Sequence, residues 1–279
     1  MFQRDRLFTL IVWSAALLVV LIFASFIGNI IYYGLKNFSF LYLWSNPINT
    51  GREGGIFPII ISTLLILLVC MTVAIPLSLC TAIFLTEFTS QENILARFIR
   101  RSIDVLSGVP SIVFGLFGNA FFSVKLGLGF SILSGGLTLA CMVLPIMIRL
   151  TQEGLRAVPP EYSLSGSALG ISRSQILLHL LLPAAAPSVI VGLVLGVGRA
   201  LAETAALVFT SGYVDRLPQS LWDSGRALSV HIYDLSMNVP GGETSAYKSA
   251  FTLLILVFFI NSITTQLTKL WLQKRIILQ

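Results

Sequence analysis

An arginine and a glutamate interrupt an otherwise apolar stretch of the sequence, GVGRALAETAALV at residues 196–208. Arg199 and Glu203 are four residues apart, and on a regular helix this spacing puts both side chains on one face, together with Gly192 and Gly196. A charge at the centre of a bilayer costs at least about 2.5 kcal/mol, so such residues face a protein interior or a substrate path. The stretch therefore predicts a polar path along a membrane-spanning helix, where the two glycines allow a neighbouring helix to approach closely.

The chemistry that suits this pair is the binding of an oxyanion. A planar guanidinium offers a fork of donors that fits two oxygens at once, which an ammonium group does not. On this interpretation Arg199 contacts the anion, Glu203 holds Arg199 while the path is empty, and Thr204 is a further candidate hydroxyl on the path. Two alternatives stay open: the charges form a permanently buried ion pair that fixes helix packing, and the Thr204 hydroxyl bonds its own helix backbone.

The composition places these residues in a membrane protein. The chain has 279 residues, of which 56% are hydrophobic and 11% charged, whereas an average soluble protein has roughly 25% charged residues. A bilayer-spanning helix needs about 20 apolar residues, and six segments provide them. We therefore expect an all-α polytopic membrane protein with six transmembrane helices, at residues 7–33, 54–86, 105–124, 126–148, 183–210 and 249–268.

Basic residues are distributed unevenly between the predicted loops. With both termini in the cytoplasm, eleven lysines and arginines fall inside and six outside, leaving Arg199 within a span. This asymmetry follows the positive-inside rule, so the net charge of +6 reflects topology rather than a nucleic-acid partner. The predicted cytoplasmic set is Arg4, Arg6, Arg97, Arg100, Arg101, Arg149, Arg156, Arg173, Lys269, Lys274 and Arg275.

Two predicted loops are longer than turns, and long ordered loops are usually functional. The cytoplasmic loop, residues 150–182, reads as two short helices: Pro159 and Pro160 suit a helix start, Gly170 interrupts the pattern, and Ser172 can cap the second helix. It would present a small surface, rich in serine and glycine, to a cytoplasmic partner. The external loop, residues 211–248, is expected to form an interfacial helix or a lid.

Residues that disfavour a regular helix open the third predicted span. They are Ser107, Gly108, Pro110 and Ser111. We expect them to form a hinge or an unwound part of the path lining, since free backbone groups at membrane depth need protein or water around them. The alternative is a proline kink at the entrance of the helix.

The remaining chemically active side chains indicate no metal or catalytic site. His179 and His231 are far apart and lack ligand-like neighbours, so we expect ordinary polar contacts for both. Asp104 is expected to pair with Arg100 or Arg101. The three cysteines fall inside predicted spans without metal-ligand spacing, which predicts small core residues.

The spacing in the cytoplasmic loop resembles the signature of the permeases of ATP-binding-cassette importers, a Glu-Ala-Ala triplet followed by a glycine and later by a Leu-Pro pair. The glycine and the pair are present as Gly170, Leu182 and Pro183. The glutamate of the triplet is absent, because the corresponding positions hold Leu164, Ser165 and Gly166. Two further stretches, LSGVPSIVFGLFG at 106–118 and GRALAETAALV at 198–208, resemble the phosphate-transport permeases, and the tail SVHIYDLS is more similar to PstA-type than to PstC-type subunits.

This resemblance implies a heteromeric importer in a bacterial cytoplasmic membrane. The chain would form half of a phosphate path beside a homologous permease subunit, with two ATPase subunits and an external phosphate-binding protein. It has no G-x-x-x-x-G-K-[ST] loop, so ATP and Mg²⁺ would be bound by the ATPase, and we expect no cofactor in this chain. Residues 1–53 would hold the first span and external loop, and 54–279 the permease domain.

Three alternatives stay open from the sequence. The first is import of another oxyanion, such as sulfate or molybdate. The second is an ion-coupled secondary transporter in which Arg199 and Glu203 relay protons. The third is an intramembrane enzyme, although no nucleophile and base pair or H-E-x-x-H motif is evident.

Overall fold

The structure is a computed structural model that describes the backbone of residues 2–36, 38–90 and 92–277, and within these ranges the side chains of residues 8–266. The described residues are mainly helical, with one short hairpin of strands β1 (Pro47–Ile48) and β2 (Glu53–Gly54). The helices are α1 (Phe2–Leu35), α2 (Leu41–Trp44), α3 (Phe57–Ile83), α4 (Ile94–Gly108), α5 (Ser111–Gly118), α6 (Ile132–Ala157), α7 (Glu161–Ala168), α8 (Arg173–Ile176), α9 (Leu182–Ala202), α10 (Ala205–Val208), α11 (Leu228–Met237) and α12 (Glu243–Ile277).

Short π-helical segments extend three of these helices. They are Phe84–Phe88 after α3, Asn119–Lys125 after α5, and Leu177–Leu181 between α8 and α9. The last of them makes α8 and α9 one continuous apolar helix, Arg173–Ala202.

Five helices among the described residues are long and apolar enough to cross a membrane, in agreement with five of the six predicted spans. They are Phe8–Leu35, Phe57–Phe88, Ile132–Ala157, Arg173–Ala202 and Glu243–Gln266. The third predicted span, at 105–124, is a pair of helices, Ile94–Gly108 and Ser111–Lys125, bent by 108°. Counted as one broken span, this pair completes the predicted six. The fourth predicted span also starts later than expected, at Ile132.

The bend follows from local chemistry at Pro110. Val109 is extended, with φ −72° and ψ 130°, as expected for a residue that precedes proline. Proline has no N–H to donate to a continuing helix, so α4 ends and α5 begins anew. The segment Ser111–Lys125 is about 22 Å long, which is shorter than the roughly 30 Å of a bilayer core. Helix α4 is not part of this segment and is a separate amphipathic helix.

Helices α3, α6 and α9 share the largest apolar core, which includes Ile66, Val143 and Val197. Small residues bring their backbones close together. A Cβ added at Gly136 of α6 would come within 2.5 Å of Val69 Cγ1 on α3. Larger residues at such positions would force the spans apart, so the glycines set the helix spacing.

Helix α1 lies apart from this core. Its side chains from Phe8 to Gly28 are exposed, and its end contacts α12, where a Cβ added at Gly34 would come within 2.6 Å of Phe251 Cβ. The Tyr33 and Tyr247 rings lie 5.1 Å apart. The division of the chain at residue 53 stays a prediction.

The helix ends define two sides of the protein. The α7 side contains α4, α7, α8 and the last turns of α3 and α6, where the Arg173 guanidinium donates to the carbonyl oxygen of Glu87 and lies over the Phe88 ring. The α11 side contains α2, the β hairpin, α11 and the first turns of α3 and α6. The side chains of the predicted cytoplasmic residues Arg4, Arg6, Lys269, Lys274 and Arg275 lie outside the described residues.

The predicted helix in the 211–248 loop is α11, but it is packed into the protein and is not a lid. Leu228, Val230 and Leu235 are fully buried. The backbone N–H of Leu228 donates to the Thr63 hydroxyl of α3 at 2.9 Å, so the chain before α11 reaches down between the spans. Ser236 and neighbouring residues on the other face of α11 stay exposed.

Candidate functional site

The helix that carries Arg199 ends before it reaches Glu203. Helix α9 stops at Ala202, and Glu203 is extended with φ −75° and ψ 129°. Its carboxylate Oε1 accepts a hydrogen bond from the backbone N–H of Ala206 at 3.2 Å, where a negative charge suits the start of a helix. Its carbonyl oxygen accepts a hydrogen bond from the Ser229 hydroxyl at 2.5 Å. These two bonds satisfy one backbone N–H and one backbone carbonyl oxygen at the break.

The predicted pairing of Arg199 with Glu203 is therefore wrong for this chain on its own, and so is the alternative of a permanently buried pair. The described residues form three ion pairs, Arg52–Glu53, Arg149–Asp104 and Arg226–Asp234. Arg199 makes neither an ion pair nor a hydrogen bond with the described side chains and is exposed. It belongs to an exposed stripe of α9 whose other members are Val191, Leu195 and Ala202.

The depth of Arg199 follows from the packing of α9 on α6. A Cβ added at Gly196 would lie 3.1 Å from Met147 and 4.0 Å from Val143, both in the middle of α6. Arg199 is three residues further, about 4.5 Å toward the α11 side. Gly192 also faces α6, so the predicted close approach at the two glycines is confirmed, with α6 as the neighbour. Arg199 thus lies near the end of α9 but near the middle of α6 in depth, on an otherwise apolar surface.

Thr204 lies in the break and is partly buried. Among the described residues its hydroxyl makes no hydrogen bond, so the expected bond to its own helix backbone is absent. Glu203 is also partly buried. Both side chains therefore border the exposed stripe at the point where the helix opens.

Helix α5 packs directly against the break. A Cβ added at Gly115 would come within 2.9 Å of Ala206 Cα, and the Asn119 amide donates to the Phe209 carbonyl oxygen at 2.7 Å. The structure thus joins the third predicted span to the segment that Glu203 caps. This contact was not predicted, although the glycine within an apolar helix was a signal for it.

The four residues predicted as a hinge or lining lie at the 108° bend. Ser107, Gly108 and Pro110 are exposed and Ser111 is partly buried, and the Ser107 hydroxyl donates to the Asp104 carbonyl oxygen at 2.7 Å. A simple proline kink is wrong because the two helices are separate. The bend is about 7 Å along α5 from Gly115, the residue that contacts the break, toward the α7 side.

The predicted pair of short helices on the α7 side is confirmed as α7 and α8. Gly170 has φ 72° and ends α7, because the N–H groups of Gly170 and Ile171 donate to Ser167 and Gly166 in a Schellman motif. Ser172 caps α8 in a capping box with Gln175. The tight turn between the helices therefore needs glycine at position 170.

The exposed surface of this pair differs from the predicted small one. Gly166 is buried, and a Cβ there would come within 2.8 Å of Ile176. Leu164 and Leu169 are instead 68% and 78% exposed, and Ser165 is exposed beside them. Leu182 and Pro183 begin α9 and are partly buried, so they lie behind this surface. The surface available to a partner is therefore partly apolar.

A buried charge cluster on the α11 side was not predicted. Arg226 and Asp234 form an ion pair at 3.3 Å, and Arg226 NH1 lies 3.4 Å from His231 Nδ1. Burial and the adjacent Arg226 lower the pKa of His231 to about 3, although Asp234 opposes this. Burial, followed by the negative charge of Asp234, raises the pKa of Tyr213. Ordinary polar contacts are confirmed for His179, whose Nδ1 lies 3.0 Å from the Gln175 carbonyl oxygen.

Two smaller predictions are corrected. Asp104 pairs with Arg149, at 2.5 Å, rather than with Arg100 or Arg101, because the end of α6 lies alongside α4. Cys80 is exposed while Cys70 is buried, so not every cysteine belongs to the core. No group of three or more histidine, cysteine or acidic residues that could hold a metal ion occurs within the described part of the chain.

Comparison with known proteins identifies the family. Residues 74–277 match the family model described as the binding-protein-dependent transport system inner membrane component. The chain belongs to this family. It is therefore a multi-pass membrane permease of an ATP-binding-cassette importer, a transport subunit rather than an enzyme.

Individual relatives agree with this assignment. The permease is 31% identical over 272 residues to the probable ABC transporter permease protein YqgI of Bacillus subtilis, covering 92% of each chain. It is 31% identical to the phosphate transport system permease protein PstC of Xylella fastidiosa, covering 92% of this chain and 87% of that one. It is 33% identical to PstA of Mycobacterium leprae, covering 75% and 68%. It is thus similar to both kinds of phosphate permease.

Solved structures show the same fold. A chain of a bacterial ABC transporter involved in import of the acidic polysaccharide alginate superposes with a TM-score of 0.66 at 14% identity, covering 92% of the permease and 95% of that chain. A chain of the inward-facing methionine transporter MetNI gives 0.57 at 16% identity, covering 77% and 93%. The permease has the type I importer fold.

Proposed function

We propose that this permease forms half of the membrane path of an importer for inorganic phosphate, in a bacterial cytoplasmic membrane with the α7 side and both termini in the cytoplasm. The names of its PstA and PstC relatives support phosphate as the substrate. The observation that carries the proposal is Arg199, whose exposed guanidinium lies near the middle of α6 in depth and forms no ion pair with the residues that the structure describes.

A cation on an apolar stripe requires a polar neighbour. Lipid cannot solvate it, so the Arg199 stripe would face a second permease subunit across a water-filled path. There the guanidinium fork matches two oxygens of a phosphate that has shed part of its water. Glu203 and Thr204 would flank the path at the break, where the helix opens and their polar groups are partly accessible.

The α7 surface is suited to receive the ATPase. Leu164, Ser165 and Leu169 are exposed on it, and apolar side chains exposed together mark an interaction site. Behind it, Ile176 belongs to an apolar cluster with Leu155 of α6 and Ala185 of α9. A push on α7 would therefore reach α6 and α9 through packed side chains, and α9 carries Arg199.

The complete importer would contain four further subunits. A homologous permease would complete the path, two ATPase subunits would bind ATP and Mg²⁺ below α7, and an external phosphate-binding protein would dock on the α11 side. The bend at residues 107–111 would act as a hinge between α4 and the short α5. This chain itself would need no cofactor.

Transport by the reconstituted importer tests the substrate. We expect uptake of labelled phosphate into proteoliposomes that contain the permease and its partner subunits. ATP is enclosed in the lumen, the side that the α7 surface faces in complexes able to import. A tenfold excess of unlabelled phosphate should lower uptake of the label by up to about tenfold through competition, whereas equal sulfate or molybdate should not. Preferential uptake of sulfate or molybdate would identify that anion, and not phosphate, as the substrate. Uptake without ATP would contradict coupling to an ATPase.

A further inference from the structure

A cavity of about 270 Å³ lies on the α7 side between α4 and α6, away from the Arg199 stripe. Three arginines line it: Arg100 from α4, and Arg149 and Arg156 from the last turns of α6. Gln152, Asp104 and Glu153 also line the cavity. Because guanidinium and amide groups donate hydrogen bonds, most of this lining is suited to an acceptor.

Two donors in the lining have no partner among the described residues. Gln152 is only 8% exposed, and its amide Nε2 is buried without a hydrogen bond. The Arg100 Nε is also buried without one, although its NH2 donates to the Leu85 carbonyl oxygen at 3.0 Å. A buried donor left without a partner destabilises the folded protein. Both residues line the cavity, so a small side-chain rotation would bring either donor to an acceptor oxygen of a ligand there.

The charges around the cavity favour an anion. Arg149 is paired with Asp104 at 2.5 Å. Neither Arg100 nor Arg156 forms an ion pair within the part of the chain that the structure describes, and Glu153 forms none there either. The three arginines exceed the two acids by one positive charge. A compact oxyanion between the guanidinium groups would therefore be favoured.

The position of α4 places this cavity at the membrane surface. Ile94, Phe98 and Val105 of α4 are 82%, 68% and 69% exposed, an apolar face of the kind that lies in the headgroup region of a bilayer. Arg100 of the same helix lines the cavity that faces α6. The cavity is thus open to phosphoryl groups from two sources, the headgroups of the membrane and the aqueous phase.

We propose that the cavity between α4 and α6 is a binding site for a phosphoryl group, held by Arg100, Arg156 and the amide of Gln152, and separate from the transport path. The group is either the phosphodiester of an anionic lipid headgroup or free inorganic phosphate. In both cases the oxygens occupy the same place beside these residues, and Gln152 Nε2 and Arg100 Nε turn to donate hydrogen bonds to them. A bound group would fasten α4 to the end of α6 just before α7 begins.

Ligand binding to the full chain tests this site. The chain carries Arg199→Gln to remove the proposed path contact and is purified in a maltoside detergent, which contains no phosphorus. Native mass spectrometry and thermal melting are followed while inorganic phosphate or short-chain phosphatidylglycerol is added, with chloride at equal ionic strength as reference. The cavity variants are Arg156→Gln and Gln152→Leu, and Arg97→Gln is the matched control because it removes one exposed charge from α4 outside the cavity.

We expect one equivalent of phosphate or of lipid to bind and to raise the melting temperature. Affinity should fall about tenfold in each cavity variant, since a hydrogen bond to a charged group contributes on the order of 1.4 kcal/mol, and should stay within about twofold in the control. Binding of phosphate alone assigns the site to the free ion, and binding of lipid alone assigns it to the headgroup. Binding no tighter than that of chloride, or equal binding by both cavity variants and the control, would overturn the site without affecting the transport proposal.

Discussion

Arg226 and Asp234 form the most buried ion pair of the described residues: their NH1 and Oδ2 atoms lie 3.3 Å apart, and their side chains are 9% and 15% exposed. Arg226 lies before α11 and Asp234 within it, so the pair folds the entering chain back onto the helix. The Arg226 Nε also donates to the Tyr213 carbonyl oxygen at 2.8 Å. The pair therefore fixes the 211–227 segment against α11.

The first prediction is that breaking this pair destabilises the permease. Asp234→Asn leaves a buried guanidinium without its counter-charge, which costs about 3–5 kcal/mol in comparable buried pairs, so the melting temperature in detergent should fall clearly. Glu53→Gln is the matched control, because the Arg52–Glu53 pair is 49% and 56% exposed and such pairs contribute about 0–1 kcal/mol. Equal effects of the two substitutions would show that the buried pair is not an anchor.

The second prediction concerns acid stability. The pKa of His231 is lowered to about 3 from its ordinary 6.5, so the folded protein keeps this group neutral while the unfolded chain protonates it. Its contribution is fully present above pH 6.5 and is lost as the pH falls from there toward 3, by up to about 1.4 kcal/mol per pH unit. The melting temperature should therefore decline below pH 6.5.

Substitution of His231 by Asn should flatten that decline, because Asn keeps an acceptor near Arg226 but does not titrate. His179→Asn is the control, since His179 is exposed on the α7 side and should leave the profile unchanged. Identical pH profiles for wild type and His231→Asn would assign the acid sensitivity to other groups.

Local signals explain what the sequence predicts well. Runs of about 20 apolar residues locate the spans regardless of their packing, and the caps around Gly170 and Ser172 depend on residues within one turn. The start of α9 near Pro183 is local for the same reason. These features were predictable because the interactions that decide them lie within a few positions along the chain.

Contacts between residues that are distant in the sequence decide the features that the sequence alone does not predict. Helix α9 ends before Glu203, where the carbonyl oxygen is bonded by Ser229 of α11 and the next turn packs on Gly115 of α5. Periodicity alone continues that helix and so places Glu203 on the Arg199 face. The partner of Asp104 likewise comes from α6, 45 positions away, whereas the sequence offers only its neighbours on α4.

The third prediction tests the docking surface. Leu164→Glu or Leu169→Glu puts a charge on an exposed apolar site and should reduce ATPase association or the coupling of hydrolysis to uptake by about tenfold, while the chain folds normally. Ser167→Glu is the control for added charge on the same helix, and it should have a smaller effect. Full coupling in both leucine variants would place the ATPase contact elsewhere. Gly170 is a poor test position, since its φ of 72° disfavours any other residue.

The fourth prediction separates two roles of Glu203. Its carboxylate caps α10 at the Ala206 N–H, and a Gln side chain keeps that acceptor while Ala removes it. Glu203→Ala should cost about 1 kcal/mol of stability, and Glu203→Gln much less. If the negative charge also acts in the path, Glu203→Gln should lower phosphate uptake several-fold in an assembled importer of unchanged melting temperature. Wild-type uptake by Glu203→Gln would leave Glu203 with the cap alone.

The last prediction concerns Arg199 as the phosphate contact. Arg199→Lys keeps the charge but loses the planar fork, so uptake should fall by about tenfold or more, and Arg199→Gln, which loses both, should be at least as impaired. Neither change should affect assembly or melting temperature, because Arg199 is exposed and forms no ion pair with the described residues. Arg216→Gln, at an exposed arginine outside the spans, is the control and should transport normally. Loss of a purely structural arginine would lower the stability of the complex and leave the uptake rate per assembled complex unchanged. Reduced assembly with normal uptake per complex would therefore assign Arg199 to the subunit contact. Wild-type uptake by both variants would remove Arg199 from the path.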